Sequence, residues 1–204
     1  MRYPRDHKQR TRRRILAAAA QRFRKKGFRG AGVDGVMSAA GLTAGGFYAH
    51  FPSKRALLAD VLRASLEETR VLLFAGLDHL EGPAWLRSVV GKYLSRSHRD
   101  GPGGGCALPS LSAEVAREGK VPRQALQAYV RQLAAELAPR TPAAPGLEPE
   151  DRVLATIALL SGALTLARAV EDPELSDRIL RSARRLAVPE MAAEADLASR
   201  NSRG

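Results

Sequence analysis

Thr43, Tyr48, His50 and Lys54 lie close together in the stretch GVDGVMSAAGLTAGGFYAHFPSK, residues 32–54. Hydroxyls, an imidazole and an ammonium at this density suit contacts to phosphate oxygens better than bond-making chemistry. Between them Ala44, Gly45 and Gly46 are small, so a backbone here can approach a sugar-phosphate rail or a thymine methyl group. The one strong nucleophile is Cys106, which follows the Gly-rich run of residues 100–105. A thiol enzyme needs a base beside it, and nothing in the spacing ties His79 or His98 to Cys106. No enzyme is expected. The Gly-rich run lacks the Lys-Ser/Thr ending and the preceding strand of a phosphate-binding loop. The four histidines, His7, His50, His79 and His98, are not at ligand spacing with acids or the cysteine, so neither a metal nor a cofactor is expected.

The small and phosphate-seeking residues need an element to present them. The pattern predicts a helix over 33–40, a turn at Gly41-Leu42 and a second helix over 43–50. Val36, Ala40, Leu42 and Phe47 then face inward together. Gly41 suits the left-handed backbone that closes a helix, and Thr43 is placed to cap the second helix. A short exposed second helix after a tight turn is shaped for a DNA major groove. The charge agrees. Residues 1–55 carry 14 Lys and Arg against Asp6 and Asp34, while the remainder carries 19 basic and 19 acidic side chains. The whole net charge of +12 therefore lies in the part that holds this motif, as expected of a surface facing a polyanion.

Thr11 to Ile15, Phe23, Gly27, Val36, Ala40-Gly41-Leu42-Thr43, Phe47-Tyr48, His50-Phe51, Ser53-Lys54 and Leu57 together resemble the N-terminal domain of the TetR/AcrR family of transcriptional regulators. Two positions depart from that pattern. Gly32 stands where a capping Ser or Thr is usual, and Met37 stands where a smaller residue is usual. The resemblance implies an all-α protein of about nine helices, with a three-helix DNA-binding domain over 8–68 and a ligand-binding and dimerisation domain over 69–187. Residues 188–204 are expected to be a frayed tail. Arg12, Thr43, Ala44, Gly45, Gly46, Tyr48, His50 and Lys54 are the expected DNA contacts.

The rest of the chain reads as a succession of helices. A first helix is expected over 9–26, ended by Gly27. A long one runs over 53–79, capped by Ser53, and is a natural lever toward the second domain. Others follow over 83–97, 106–118 and 122–137. After a Pro/Ala linker over 139–149 comes a helix over 150–170 that is apolar nearly all round and so should be covered on all sides. It carries Arg168 and polar residues, and reads as a buried helix, not a membrane span. A last helix over 173–186 is capped by Asp172. One cysteine excludes an internal disulfide, and no charged-then-apolar leader opens the chain, which points to a reducing, cytoplasmic setting.

The last two helices offer paired apolar faces, and the resemblance implies a homodimer through them, with Leu160, Leu164, Ile179 and Ala183 at the interface. It implies further a double-stranded palindromic operator and a small hydrophobic effector, with Trp85, Tyr93, Cys106, Tyr129 and Arg168 lining the pocket. An Arg in so apolar a helix needs a partner, either Glu171 or Asp172 or an anionic ligand. Two alternatives stand beside the ligand-released repressor. The region around Cys106 is similar to a cysteine-containing, electrophile-sensing subset of the family. The chain can also be read as a DNA-binding protein without an inducer.

Overall fold

The computed structural model describes residues 5–101, 105–142 and 146–188; the expected tail lies outside them, apart from Val188. Among the described residues there are nine α-helices, two short 3-10 helices and no strand. Two compact units are formed, Met1–Thr69 with Pro102–Tyr129, and Arg70–Gly101 with Val130–Gly204. Among the described residues, 105–129, expected above in the C-terminal domain, cluster with the helix-turn-helix unit.

In the first unit, α1 spans Arg5–Gly30, beginning earlier than its apolar periodicity reveals because its first turns are wholly polar. Gly27 interrupts it at φ 73°, ψ 164°. That region is open essentially to glycine alone, which is why the expected end falls there. The next helix, α2, spans Val33–Ala39 and is followed by the 3-10 helix Ala44–Ala49. Lys54–Phe74 forms α3, and the Ser53 hydroxyl accepts the Ala56 N–H at 3.1 Å as a cap. Ala107–Val115 (α6) packs on α1. Ile15, Phe23, Met37, Phe47, Phe51, Leu57, Leu62 and Leu111 are fully buried. Phe47 stacks on Phe51, and Phe28 meets Phe23 edge-on.

In the second unit, α3 ends at Phe74, short of the expected 79. The Lys92 ammonium donates to the carbonyls of Leu73 (3.2 Å) and Ala75 (2.7 Å), and Arg140 donates to those of Leu77 and Leu80. These two cations satisfy the chain just where the helix leaves its carbonyls open. The expected helix over 83–97 is two helices, α4 (Gly82–Tyr93) and α5 (Arg96–Asp100). Ser95 accepts the His98 N–H at 3.1 Å, and His98 Nδ1 bonds the Tyr93 carbonyl at 2.6 Å. Such local bonds compete with the helical ladder.

Lys120–Leu137 forms α7, which the boundary at Tyr129 divides between the units. Pro149–Ala169 is α8 and Pro173–Ala187 is α9, with Asp172 accepting the Glu174 N–H at 2.9 Å. Among the described helices, α8 is the one long and apolar enough to cross a membrane by length and composition. It packs along α9. The expectation that it is covered on all sides fails within one chain: Val153, Leu160, Ala163, Leu164 and Ala167 are buried, but Leu154 is 40% and Leu166 58% exposed.

Candidate nucleic-acid interface

The reader is built on the turn after α2. Gly41 takes φ 67° and donates its N–H to Ser38, and Leu42 donates to Met37, both at 2.9 Å. Arg14 reaches across from α1 to the Ala40 carbonyl at 2.7 Å, and a Cβ at residue 41 would lie 3.0 Å from its guanidinium. Glycine is therefore favoured by the left-handed backbone, and a Cβ would also oblige the Arg14 guanidinium to shift. The following 3-10 helix is anchored by Phe47, which is inaccessible to solvent. Met37 lies buried beneath Gly46, its methyl 3.7 Å from where a Cβ would stand. The larger side chain at 37 is accommodated in the core at ordinary packing distance from residue 46.

Thr43, Ala44, Gly45 and Tyr48 share the exposed side of this element; Tyr48 is 73% exposed, edge-on to Phe47, and Gly46 is half-buried. The expected cap from Thr43 is not made: its carbonyl accepts the Gly46 N–H, but its hydroxyl bonds no helix N–H. A 3-10 turn closes through backbone alone, which leaves that hydroxyl outward.

The three other expected contacts are held differently. Arg12 is ion-paired with Asp60 and lies over the Phe51 ring at 4.6 Å, tying α1 to α3. The Lys54 ammonium sits 4.2 Å from the Phe28 ring centre, and burial lowers its pKa while Glu118 and Glu114 oppose the shift. His50 is half-buried with its Nδ1 enclosed; desolvation, then the charges of Lys8, Arg12 and His7, hold its pKa below the ordinary value. A neutral ring contributes no charge to a phosphate contact. Exposed cations on α1 include Lys8, Arg10 and Arg13.

A part of the site that the sequence does not show is its support from α6. Glu114 accepts the Phe28 N–H at 2.7 Å, just beyond the break at Gly27. Glu118 is 5% exposed and pairs with Arg29 at 3.1 Å and Arg55 at 3.3 Å. Burial raises the Glu118 carboxyl, and the hydrogen bonds and charges of the two arginines outweigh it, leaving the pKa below the ordinary value. A depressed carboxyl contributes stability that is complete above its unfolded value of about 4.3 and is lost as pH falls through the folded value. Wild type is therefore expected to exceed Glu118→Gln in urea midpoint at pH 7, with the gap closing progressively below about pH 4. A gap independent of pH would show that the pairs with Arg29 and Arg55 are not its source.

The expected ligand residues do not form one lining in either unit. Cys106 and Tyr129 belong to the first unit, and Trp85, Tyr93 and Arg168 to the second. Cys106 is 2% exposed and caps α6, its sulfur accepting the Leu108 N–H at 3.4 Å. The Tyr129 hydroxyl donates to the Leu66 carbonyl. Trp85 is buried against Phe74 and beneath the Arg140 guanidinium, and Tyr93 meets His98 edge-on. Arg168 donates to the carbonyls of His98 (2.6 Å) and Arg99 (3.0 Å).

Three of the four residues expected at the interface are packed inside the protomer. Leu160, Leu164 and Ala183 are buried within their own chain, and Leu164 has no exposure at all. The uncovered side of α8 and α9 is an open apolar groove of about 530 Å³ that includes Leu159, Gly162, Leu166, Ile179 and Leu186. Of the four residues expected at the interface, Ile179 is half-buried and lies on the groove; Ala183 also touches it.

An all-helical fold, a turn closed by Gly41, and an exposed small-residue surface on a strongly basic unit define a helix-turn-helix DNA-binding protein. Residues 15–61 match the family model of bacterial regulatory proteins of the tetR family. That segment is the DNA-binding segment of the TetR family of transcriptional regulators. Its fold is similar to that of reduced NemR from E. coli (24% identity, 87% of this chain and 94% of that one, TM-score 0.71). It is similar also to a TetR regulator from Chloroflexus aurantiacus (24%, 92% and 96%, TM-score 0.72) and to the fatty acid degradation regulator FadR from Bacillus halodurans (15%, 87% and 94%, TM-score 0.63). At these identities the likeness is one of fold. No curated protein matches the chain by sequence.

Proposed function

We propose that this regulator is a repressor that grips a palindromic operator as a homodimer and is released by a small hydrophobic molecule. The observation that carries the reading is the uncovered apolar groove along α8 and α9. A second copy laid on the same groove would bury Leu166, Ile179 and Leu186 of each, and a two-fold axis would pair the readers. Two readers set about one DNA turn apart supply the specificity that one short 3-10 helix does not. Thr43 and Tyr48 contact the sugar-phosphate rail, and the cations on α1 add sequence-independent attraction.

Fluorescence anisotropy with the DNA upstream of the chain's own gene, against random competitor, tests this. Binding should survive competitor at moderate salt, and Tyr48→Ala should weaken it about ten-fold without changing the melting temperature. Binding equally strong to random DNA would overturn the repressor reading in favour of a binder without an operator.

A second reading has its own observation. Cys106 opens the helix whose last turn carries Glu114, with Glu118 in the turn just beyond it, and these two residues hold Phe28, Arg29 and Arg55 of the reader. Addition of the Cys106 sulfur to an electrophilic double bond forms a C–S bond, with a proton delivered to the neighbouring carbon. The adduct would displace the start of α6 and so disturb its grip on α1. The same titration run on maleimide-treated protein decides: unchanged operator affinity in the fully modified protein ends this reading.

A further inference from the structure

A cleft in the second unit, formed by α4, α5 and α9, has an excess of positive charge. It encloses about 530 Å³ and is lined by Arg96, Arg181 and Arg184 against a single acid, Asp177. That acid is already engaged. Arg96 grips both its oxygens, and Arg99 donates to it at 2.7 Å from outside the lining. Asp100, the other acid nearby, is held by Arg99 at 2.6 and 3.2 Å. Each carboxylate is thus ion-paired with Arg96 or Arg99 and not with an arginine of α9. Arg181 is exposed and has no acidic partner among the described residues. Arg184 donates from Nη2 to the Leu94 carbonyl, while its Nε–H is buried without an acceptor. On the opposite wall the hydroxyls of Ser95 and Ser97 lie 3.0 Å apart.

Guanidinium groups facing hydroxyls across a concave space are the usual receptors of planar or tetrahedral oxyanions. We propose that this cleft binds a small dianionic metabolite, a phosphate monoester or a dicarboxylate, through Arg181, Arg184 and the Ser97 hydroxyl. The site is separate from the operator surface and from the apolar groove, and it does not depend on the repressor reading. Its electrostatics point the same way. Desolvation holds the Arg184 pKa below its ordinary range, Asp177 opposes this, and the charges of Arg181 and Arg96 add to the lowering. A bound dianion would remove that repulsion.

Calorimetric titration of the full chain with inorganic phosphate, and separately with succinate, tests the proposal at an ionic strength fixed with sodium chloride. Because phosphate can also meet the basic reader, the decisive comparison is with two variants. Arg181→Gln removes one charge from an exposed position and should weaken binding about ten-fold, the loss of one charge-assisted contact. Gly91→Leu places a side chain where a Cβ meets no neighbour, on the floor of the cleft. It should abolish this binding while leaving the melting temperature without anion unchanged. Response to phosphate alone assigns the site to phosphate esters, and response to succinate alone assigns it to dicarboxylates. Affinities unchanged in Arg181→Gln, or no heat from either anion up to about 10 mM, would overturn the proposal.

Discussion

Leu166→Asp should yield a folded chain that is monomeric at micromolar concentration and has lost its operator. Leu166 is 58% exposed and lies on the groove between α8 and α9, so in a lone protomer the new carboxylate stays in water and costs little. In a two-fold dimer the change appears twice, and each charge would be taken into an apolar interface without a partner. Operator affinity should fall by about 100-fold or more, since a single short reader remains. Light scattering after gel filtration reads the assembly, and anisotropy reads the DNA. The companion variant Leu164→Asp separates interface from core. Leu164 is wholly buried in its own chain, so that substitution should unfold the protomer itself. A dimeric Leu166→Asp protein with full operator affinity would refute the proposed interface.

Gly27→Ala is the second change with a large expected effect, this time on stability. Alanine at φ 73°, ψ 164° costs about 1–3 kcal/mol in backbone strain. The added Cβ would also stand 2.8 Å from a Glu114 carboxylate oxygen, and moving that carboxylate breaks its bond to the Phe28 N–H. A hydrogen bond to a charged group contributes about 1.5–3 kcal/mol. The two losses share one cause and together reach about 3–5 kcal/mol, a fall in melting temperature of roughly 10 °C for a chain of this size. Glu114→Gln keeps the backbone free of strain and should show only the smaller part. A Gly27→Ala protein that melts within about 2 °C of wild type would mean that the kink and its Glu114 contact are not built as described.

The reader was legible because its determinants are local. Gly41 closing α2, Phe47 as anchor and Ser53 capping α3 each act within a few residues of where they stand. The roles of Arg12 and Lys54 were not legible. A cation reads the same in sequence whether it faces a phosphate or, as here, Asp60 or the Phe28 ring. Glu114 and Glu118 carry no local signal either, because Phe28 and Arg29 lie more than eighty residues away along the chain.

Taken alone, the order of residues determined the helical class, the turn that shapes the reader, and the concentration of net positive charge in the first 55 residues. Those properties follow from backbone preference, short-range capping and composition, none of which needs a distant partner. The tertiary structure decided the facing of α8. A helix apolar on every side has no periodic stripe to show which side turns inward, so only packing against α9 could bury Leu160 and Leu164 and leave Leu166 outside. It also decided that α6 belongs with the reader, since the carboxylates of Glu114 and Glu118 meet their partners only once the chain has folded back on α1.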